Sequence, residues 1–318
     1  MKPRNLAWLL FAVSFCACNT AIKDPTTPVD ETANVDSSVI QYTLPEANTN
    51  AAVAAPDDLL GYWVGDFEPA ALPDDKRIRT NEHEAWNYTN KINISIDDIR
   101  GDSVFGHSVV AGNARPFSGT LTRSNGFALT LAEPGSDKYD GSFAASIAAN
   151  DTLLRGTWQS FKPIEVSQRK FALVKKTFAY NPNAALDNGA YVDWTKQQKN
   201  KLPADATEEE RDFFYDRSYF STTQQVFDFN ASVDTLTTKS VANLTKADLF
   251  ILRNSIYARH GFSFKNRQLR AFFDRQSWYI PVHTDIKADF TPLEKANIAL
   301  LLRFEKHAAE YYDEFGRG

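Results

Sequence analysis

The chain has almost no cysteine: Cys16 and Cys18 are the only two in 318 residues. They lie two positions apart near the start, too close for a disulfide framework and too few for a four-ligand zinc site. A basic excess is also missing. Lys and Arg number 35 against 40 Asp and Glu, for a formal charge of -5 and a pI near 5.6. Nucleic-acid affinity is mostly phosphate neutralisation by clustered cations, so no nucleic-acid partner is expected. Histidine is scattered: His83, His107, His260, His283 and His307 show no ligand spacing. His83-Glu84-Ala85-Trp86-Asn87 lacks the second His of a zinc-protease helix. Neither a Gly-x-Ser-x-Gly elbow nor a Gly-rich phosphate loop is present. Acidic pairs such as Asp74-Asp75 and Asp97-Asp98 read as solvated turns. No catalytic residue, metal or cofactor is expected. The apolar run over residues 6–15 is too short to span a bilayer.

What is present is a composition of 43% hydrophobic and 24% charged residues, that of a globular chain with room for two cores. Lys2 and Arg4 precede the short apolar run, the pattern of an export signal. The run ends in Phe15-Cys16-Ala17-Cys18, which resembles the lipobox of bacterial lipoproteins, although Phe15 departs from the usual Leu. The resemblance implies a signal peptide over residues 1–18, with Cys18 diacylated as the mature N-terminus and Cys16 as the fallback. Lipidation would make the membrane a partner through an N-terminal anchor.

Residues 19–57 are rich in Thr, Asn, Asp, Pro and Ala, with Tyr42 the only aromatic residue, and read as a disordered tether. Residues 58–178 change character. Alternating segments such as Ile92-Asn93-Ile94-Ser95-Ile96 and Phe127-Ala128-Leu129-Thr130-Leu131 predict strands with one buried face. Eight are expected, over 62–67, 91–98, 103–110, 115–122, 127–132, 139–147, 153–159 and 169–175. That number suits an antiparallel up-and-down β-barrel, because closure removes exposed edges. Gly61-Tyr62-Trp63 is similar to the Gly-x-Trp start of the lipocalin and related calycin barrels, which implies that Trp63 plugs the closed end.

Residues 179–235 read as a structured connector, with a short helix opening at Thr207-Glu208-Glu209-Glu210 and carrying Phe213, Phe214 and Tyr215. Residues 236–318 read as a small helical domain. Thr245 caps a helix with Leu249, Leu252, Ile256 and His260 on one face, ended by Gly261. A second helix holds Leu269, Phe272 and Phe273, and a third starts at Thr291-Pro292-Leu293-Glu294. The run Leu252-Arg253-Asn254-Ser255-Ile256-Tyr257-Ala258-Arg259-His260-Gly261-Phe262 resembles the YARHG domain, with supporting matches at Phe264, Phe272, Trp278-Tyr279, Pro281, Leu293-Glu294 and Asn297-Ile298. The resemblance implies an extracytoplasmic compartment and no defined activity.

Two readings of these polar and aromatic residues stand side by side. In one, Tyr257, Arg259, His260, Trp278 and Tyr279 form a surface patch, with the aromatic rings stacking on a cell-wall polymer or an envelope protein. In the other, which we favour, Arg253, Asn254, Gly261, Glu294 and Asn297 are architecture, and Arg253 or Arg259 pairs with Glu294 to bridge helices. The function expected is non-enzymatic binding or interaction at the cell envelope, lipid-anchored and periplasmic or surface-exposed. The rivals are a carrier of a small apolar ligand inside the barrel and a cell-wall or peptide hydrolase with an unrecognised site.

Overall fold

Alternation of large apolar and small polar side chains folds the middle of the chain into eight strands: β1 (Gly61–Pro69), β2 (Asn90–Arg100), β3 (Ser103–Val110), β4 (Asn113–Arg123), β5 (Gly126–Ala132), β6 (Gly141–Ala148), β7 (Leu153–Ser160) and β8 (Gln168–Lys176). A computed structural model describes residues 53–71, 88–187, 189–199, 207–208, 217–286 and 289–308. Cys18, the tether up to residue 52, His83, Asp74-Asp75 and the helix expected over residues 213–215 lie outside the described residues. Each strand pairs antiparallel with the next, and β1 also pairs with β8, with Val64 opposite Val174, so the meander closes into a barrel. This is the antiparallel up-and-down β-barrel that the alternation predicts.

The barrel has no open lumen at its middle. Ile92, Ile94 and Ile96 of β2, Leu129 and Leu131 of β5, and Leu154 and Leu173 are at most 1% exposed. Phe67 meets Phe143, Trp158 and Phe171 at ring-centroid distances of 6.4, 5.7 and 6.3 Å. Each large apolar side chain so buried contributes about 1.5–3 kcal/mol. One end is sealed by the segment that leads into β1. Val53 and Leu59, the latter on a 3₁₀ turn (Pro56–Leu59), join the core. The disordered tether expected over residues 19–57 is therefore corrected at its end: residues 53–57 are ordered against the barrel, because Val53 has an apolar site to fill and its N–H donates to Asp151 O at 3.2 Å. Trp63, fully buried, donates its Nε1–H to Leu59 O at 2.8 Å, and Lys175 donates to Asp58 O. Trp63 thus takes the plugging place expected of it. Toward the other end the interior turns polar. Ser108 Oγ, Gly141 N–H and Trp158 Nε1–H donate to Glu133 at 2.9, 2.7 and 3.4 Å. Burial still raises that carboxyl above the usual range.

After the barrel, β9 (Val192–Lys199) and β10 (Arg217–Ser221) form a two-stranded antiparallel sheet, followed by a 3₁₀ turn over Gln224–Asp228. Among the described residues, four helices follow: α1 (Thr238–Val241), α2 (Lys246–Arg259), α3 (Arg267–Phe273) and α4 (Pro292–Glu305). The expected caps are in place. Thr245 and Thr291 each accept from the backbone N–H three residues on, and Asp248 and Glu294 return the bond to complete a capping box. The buried face of α4 is Glu294, Asn297 and Leu301. Leu249, Leu252, Ile256, Phe272, Phe273 and Leu301 form the core here, and Tyr191, Val226 and Ala231 join it from before α1.

Barrel and helices belong to one compact unit and meet on the outer face of β2. Lys91 N–H donates to Asp274 Oδ2 at 2.9 Å, and Lys91 Nζ donates to the carbonyls of Gln276 and Tyr279, both at 3.3 Å. Arg270 Nε reaches Asn90 Oδ1 at 3.1 Å, and Gly112 N–H donates to Ser263 Oγ at 2.9 Å. Burial pushes the Asp274 carboxyl up to about 6, despite the Lys91 N–H and the Lys91 and Arg270 charges. Asn93, two residues along β2, is fully buried with both side-chain polar atoms unpartnered.

Candidate functional site

The sequence-predicted residues converge where the end of α2 meets the start of α4. Gly261 makes the meeting possible. Its φ of 71° is one that side-chain-bearing residues rarely adopt, and a Cβ there would lie 2.5 Å from Val282 Cγ2 and 2.8 Å from the Phe178 ring. With the helix stopped, the Gly261 carbonyl accepts from Val282 and His283 N–H, each at 2.9 Å.

Glu294 is the hub. Its carboxylate is fully buried and accepts from Tyr180 OH at 2.9 Å and from Thr291 N–H at 3.0 Å, with His260 Nε2 at 2.9 Å. Burial works against the charge, but the bonds from His260, Thr291, Ser232 and Tyr180 together outweigh it and hold the carboxyl down at about 2. A carboxylate only accepts, so His260 Nε2 carries a proton toward it. The His260 ring stacks on Tyr180 at 4.2 Å and meets Phe290 edge-on at 5.2 Å. Burial, and then the bond to Glu294, push the Tyr180 hydroxyl up to about 12.

The two arginines take other partners than expected. Arg253 makes a two-point bridge to Glu305 at 2.5 and 3.0 Å, joining α2 to the far end of α4. Arg259, 3% exposed, donates to Ala184 O at 2.9 Å, Ser255 Oγ at 2.8 Å and Ser232 Oγ at 3.3 Å, and lies 5.8 Å from the Trp278 ring centroid. Burial lowers its pKa to about 10, an effect that the nearby Glu294 charge opposes. The expectation of an Arg–Glu294 bridge is therefore corrected. A histidine one residue along the helix occupies the carboxylate, while Arg259 turns to carbonyl and hydroxyl oxygens.

Asn297 donates to Ala231 O and Asp234 O, both at 2.8 Å, and accepts from Leu236 N–H. Asn254 donates to Phe250 O within its own helix at 2.8 Å. Tyr257, half-buried, packs edge-on against Phe290 at 4.9 Å. Trp278 Nε1–H is held by Ala185 O at 2.6 Å, and Tyr279 OH by Phe262 O at 2.7 Å. Tyr279 is 2% exposed and His260 6% exposed. With Arg259 also buried, Tyr257, Arg259, His260, Trp278 and Tyr279 do not lie together on the surface, and Tyr279 offers no ring face for stacking. Sequence reasoning did not find Tyr180, Ala184, Ser232 and Glu305. They lie up to 114 positions from their partners, and no local pattern marks them. The arrangement can fix protons and hold segments together. Among the described residues, no three His, Cys, Asp or Glu side chains are placed to hold a metal ion.

The model of one family, the YARHG domain, matches residues 226–306, which include the whole Glu294 network except Tyr180 and Ala184. That domain is typical of extracytoplasmic proteins. Among the described residues, no helix is long and apolar enough to cross a membrane. No curated protein and no solved structure matches the chain.

Proposed function

We propose that the protein is a bacterial envelope lipoprotein, anchored through Cys18, which acts by non-enzymatic binding to a cell-wall polymer or an envelope protein. The observation that carries this reading is the filled barrel. Phe67, Phe117, Phe143, Trp158 and Phe171 occupy the space that an apolar ligand would need, and the 53–60 segment stops one end. Recognition then falls to the outer surface of a scaffold in which the helices are fastened to the barrel through Lys91 and Arg270. The buried engagement of His260 and Glu294 with each other supports a holding role for them, since a hydrolase needs its base open to substrate.

Cys18→Ala should abolish labelling by palmitate and release the protein to the soluble fraction. Full labelling with Cys16 intact would transfer the anchor to that residue. Purified protein should sediment with isolated cell wall or crosslink in cells to an envelope protein, and should retain no lipid in native mass spectrometry. An apolar molecule bound one-to-one would favour the carrier, and release of soluble wall fragments would favour the hydrolase.

A further inference from the structure

Asn93, in the middle of β2, is fully buried, and neither its Oδ1 nor its Nδ2 has a partner. It lies outside the barrel core, between Val64 of β1 and Val109 of β3, and the helical region reaches over it on both sides. On one side Lys91 bonds to Asp274, Gln276 and Tyr279. On the other, His107, opposite Ser95, is near enough to His283 for its charge to lower the His283 pKa, which burial already lowers more. The outer face of β2 is polar along this stretch, at Lys91, Asn93, Ser95 and Asp97, as in a strand that meets water. A seam closed once, on folding, has its buried polar groups paired. Here an amide is left with nothing, and Asp274 is buried in the same seam with its carboxyl raised to about 6. The apolar part of the seam is small. Among the described residues it consists of Val64 and Val109 beside Asn93, and of a separate cluster of Tyr88 and Val166 with Trp194 and Ala271.

We infer that the helical region is a hinged cover: it swings off the outer face of β1 to β3 about residues 176–178, with both cores intact, and closes again. The cores allow this because they share no residue. The barrel core draws on residues 53–173 and the helical core on residues 186–308. The chain crosses between them directly after β8 ends at Lys176, since Phe178 already lies against His283 and Tyr180 already bonds to Glu294. In the open state water satisfies both polar atoms of Asn93 and rehydrates Lys91 and Asp274, which offsets part of what the seam loses. The closed state is held by the bonds of Lys91, by Arg270 to Asn90 and by Gly112 to Ser263. Contacts between regions of one chain that are neither large nor strongly apolar permit such motion. The rival is a permanent seam in which a bridging water serves Asn93, and the two differ in sign when that amide is removed. The inference goes beyond the envelope reading and does not rest on it, because neither the anchor nor the bound partner enters the argument.

Two backbone N–H groups donate across the seam from different places, Lys91 on β2 to Asp274 and Gly112 on the β3–β4 turn to Ser263. Hydrogen exchange of the full chain, followed at residue resolution, reads the opening at both. In the parent both should exchange at least about tenfold faster than Leu129 in the barrel and Ile256 in α2, whose exchange requires a core to open. Asn93→Val removes the unpartnered amide from a strand that favours β-branched residues, and should slow both seam positions by one shared factor of about tenfold. Asn93→Ala, too small to overpack, should make neither faster. Lys91→Met deprives two carbonyls of their donor and should speed both positions, again by one shared factor of about tenfold. Seam amides as slow as Leu129 and Ile256 overturn the inference, because the regions then part only on unfolding. Unequal factors at positions 91 and 112 overturn it too, as separate local fraying. Faster exchange in Asn93→Ala also overturns it, since a bridging water then holds that side chain in a permanent seam.

Discussion

The barrel and the helical region have cores of similar size, but they are closed by different means. In the barrel each strand is hydrogen-bonded along its length to both neighbours, so the backbone ladder sets the register and the interior needs only apolar volume. Its polar members, Glu133 and Ser108, sit toward one end. The helical region has no ladder. Its short helices could slide or rotate while keeping apolar contact, and what fixes them is polar: Glu294 to His260 and Tyr180, Arg253 to Glu305, Arg259 to Ala184 and Ser232, and Asn297 to Ala231 and Asp234. Polar bonds have direction and few acceptable partners, so they select one packing among several apolar ones. Where hydrogen bonding already dictates register, the core is left plain; where it does not, charge is buried to do so.

The largest effect that would break this contrast is expected at Gly261. Gly261→Val places a β-branched side chain at a φ of 71° and against Val282 and Phe178. Strain and overpacking together should cost about 2–5 kcal/mol, read by urea unfolding. A loss under about 1 kcal/mol would mean that the α2 terminus is not a fixed point of the network.

Acid should separate the two regions next. The Glu294 carboxyl titrates near 4.5 when free and at about 2 when folded. A depressed folded value gives stability that is complete above about pH 4.5 and is lost as pH falls toward 2, amounting to about 3 kcal/mol. Glu294→Gln should remove most of that acid dependence. If the variant keeps the parent's acid limb, measured by thermal melts across pH, the hub is elsewhere.

The smallest effect has the opposite sign and lies at the seam. Asp274 is raised from 3.8 to about 6, so its burial makes the folded state less stable as pH climbs through that window. Asp274→Asn, which can still accept from Lys91 N–H, should gain about 1–2 kcal/mol near neutrality and nothing near pH 4. A loss at neutral pH would show that the attraction to Lys91 and Arg270 outweighs the burial cost, and that the seam resembles the helical core in depending on charge.

Much of this organisation can be read along the chain, though unevenly. Strands β1 to β8 follow the alternation within a few residues at each end, and the Thr-x-x-acid boxes mark the starts of α2 and α4. The sheet of β9 and β10 is not legible: Val192-Asp193-Trp194-Thr195-Lys196-Gln197-Gln198-Lys199 shows no period-two pattern, and its partner lies far along the chain. Helix α1 is a single turn, too short for a period to show. At the site, Gly261, Glu294 and Asn297 stand out from local rules, whereas their pairing does not. Arg259 and His260 are equally plausible partners for Glu294 by charge, and the choice depends on which way each side chain points from the last turn of α2.

The sequence by itself determines the closed barrel and the capped helices, because period, cap and turn chemistry act between residues close in the chain. It also determines that residues 226–306 have the character of a YARHG domain, because the motif is contiguous. Only the tertiary structure decided that the barrel is filled rather than hollow, since side-chain volume within a closed wall depends on strand tilt and stagger and not on which positions face inward. It likewise decided that His260 rather than an arginine meets Glu294, and that Lys91 meets Asp274. Those facts join residues tens of positions apart, and their energies depend on burial and direction, which are properties of the folded chain.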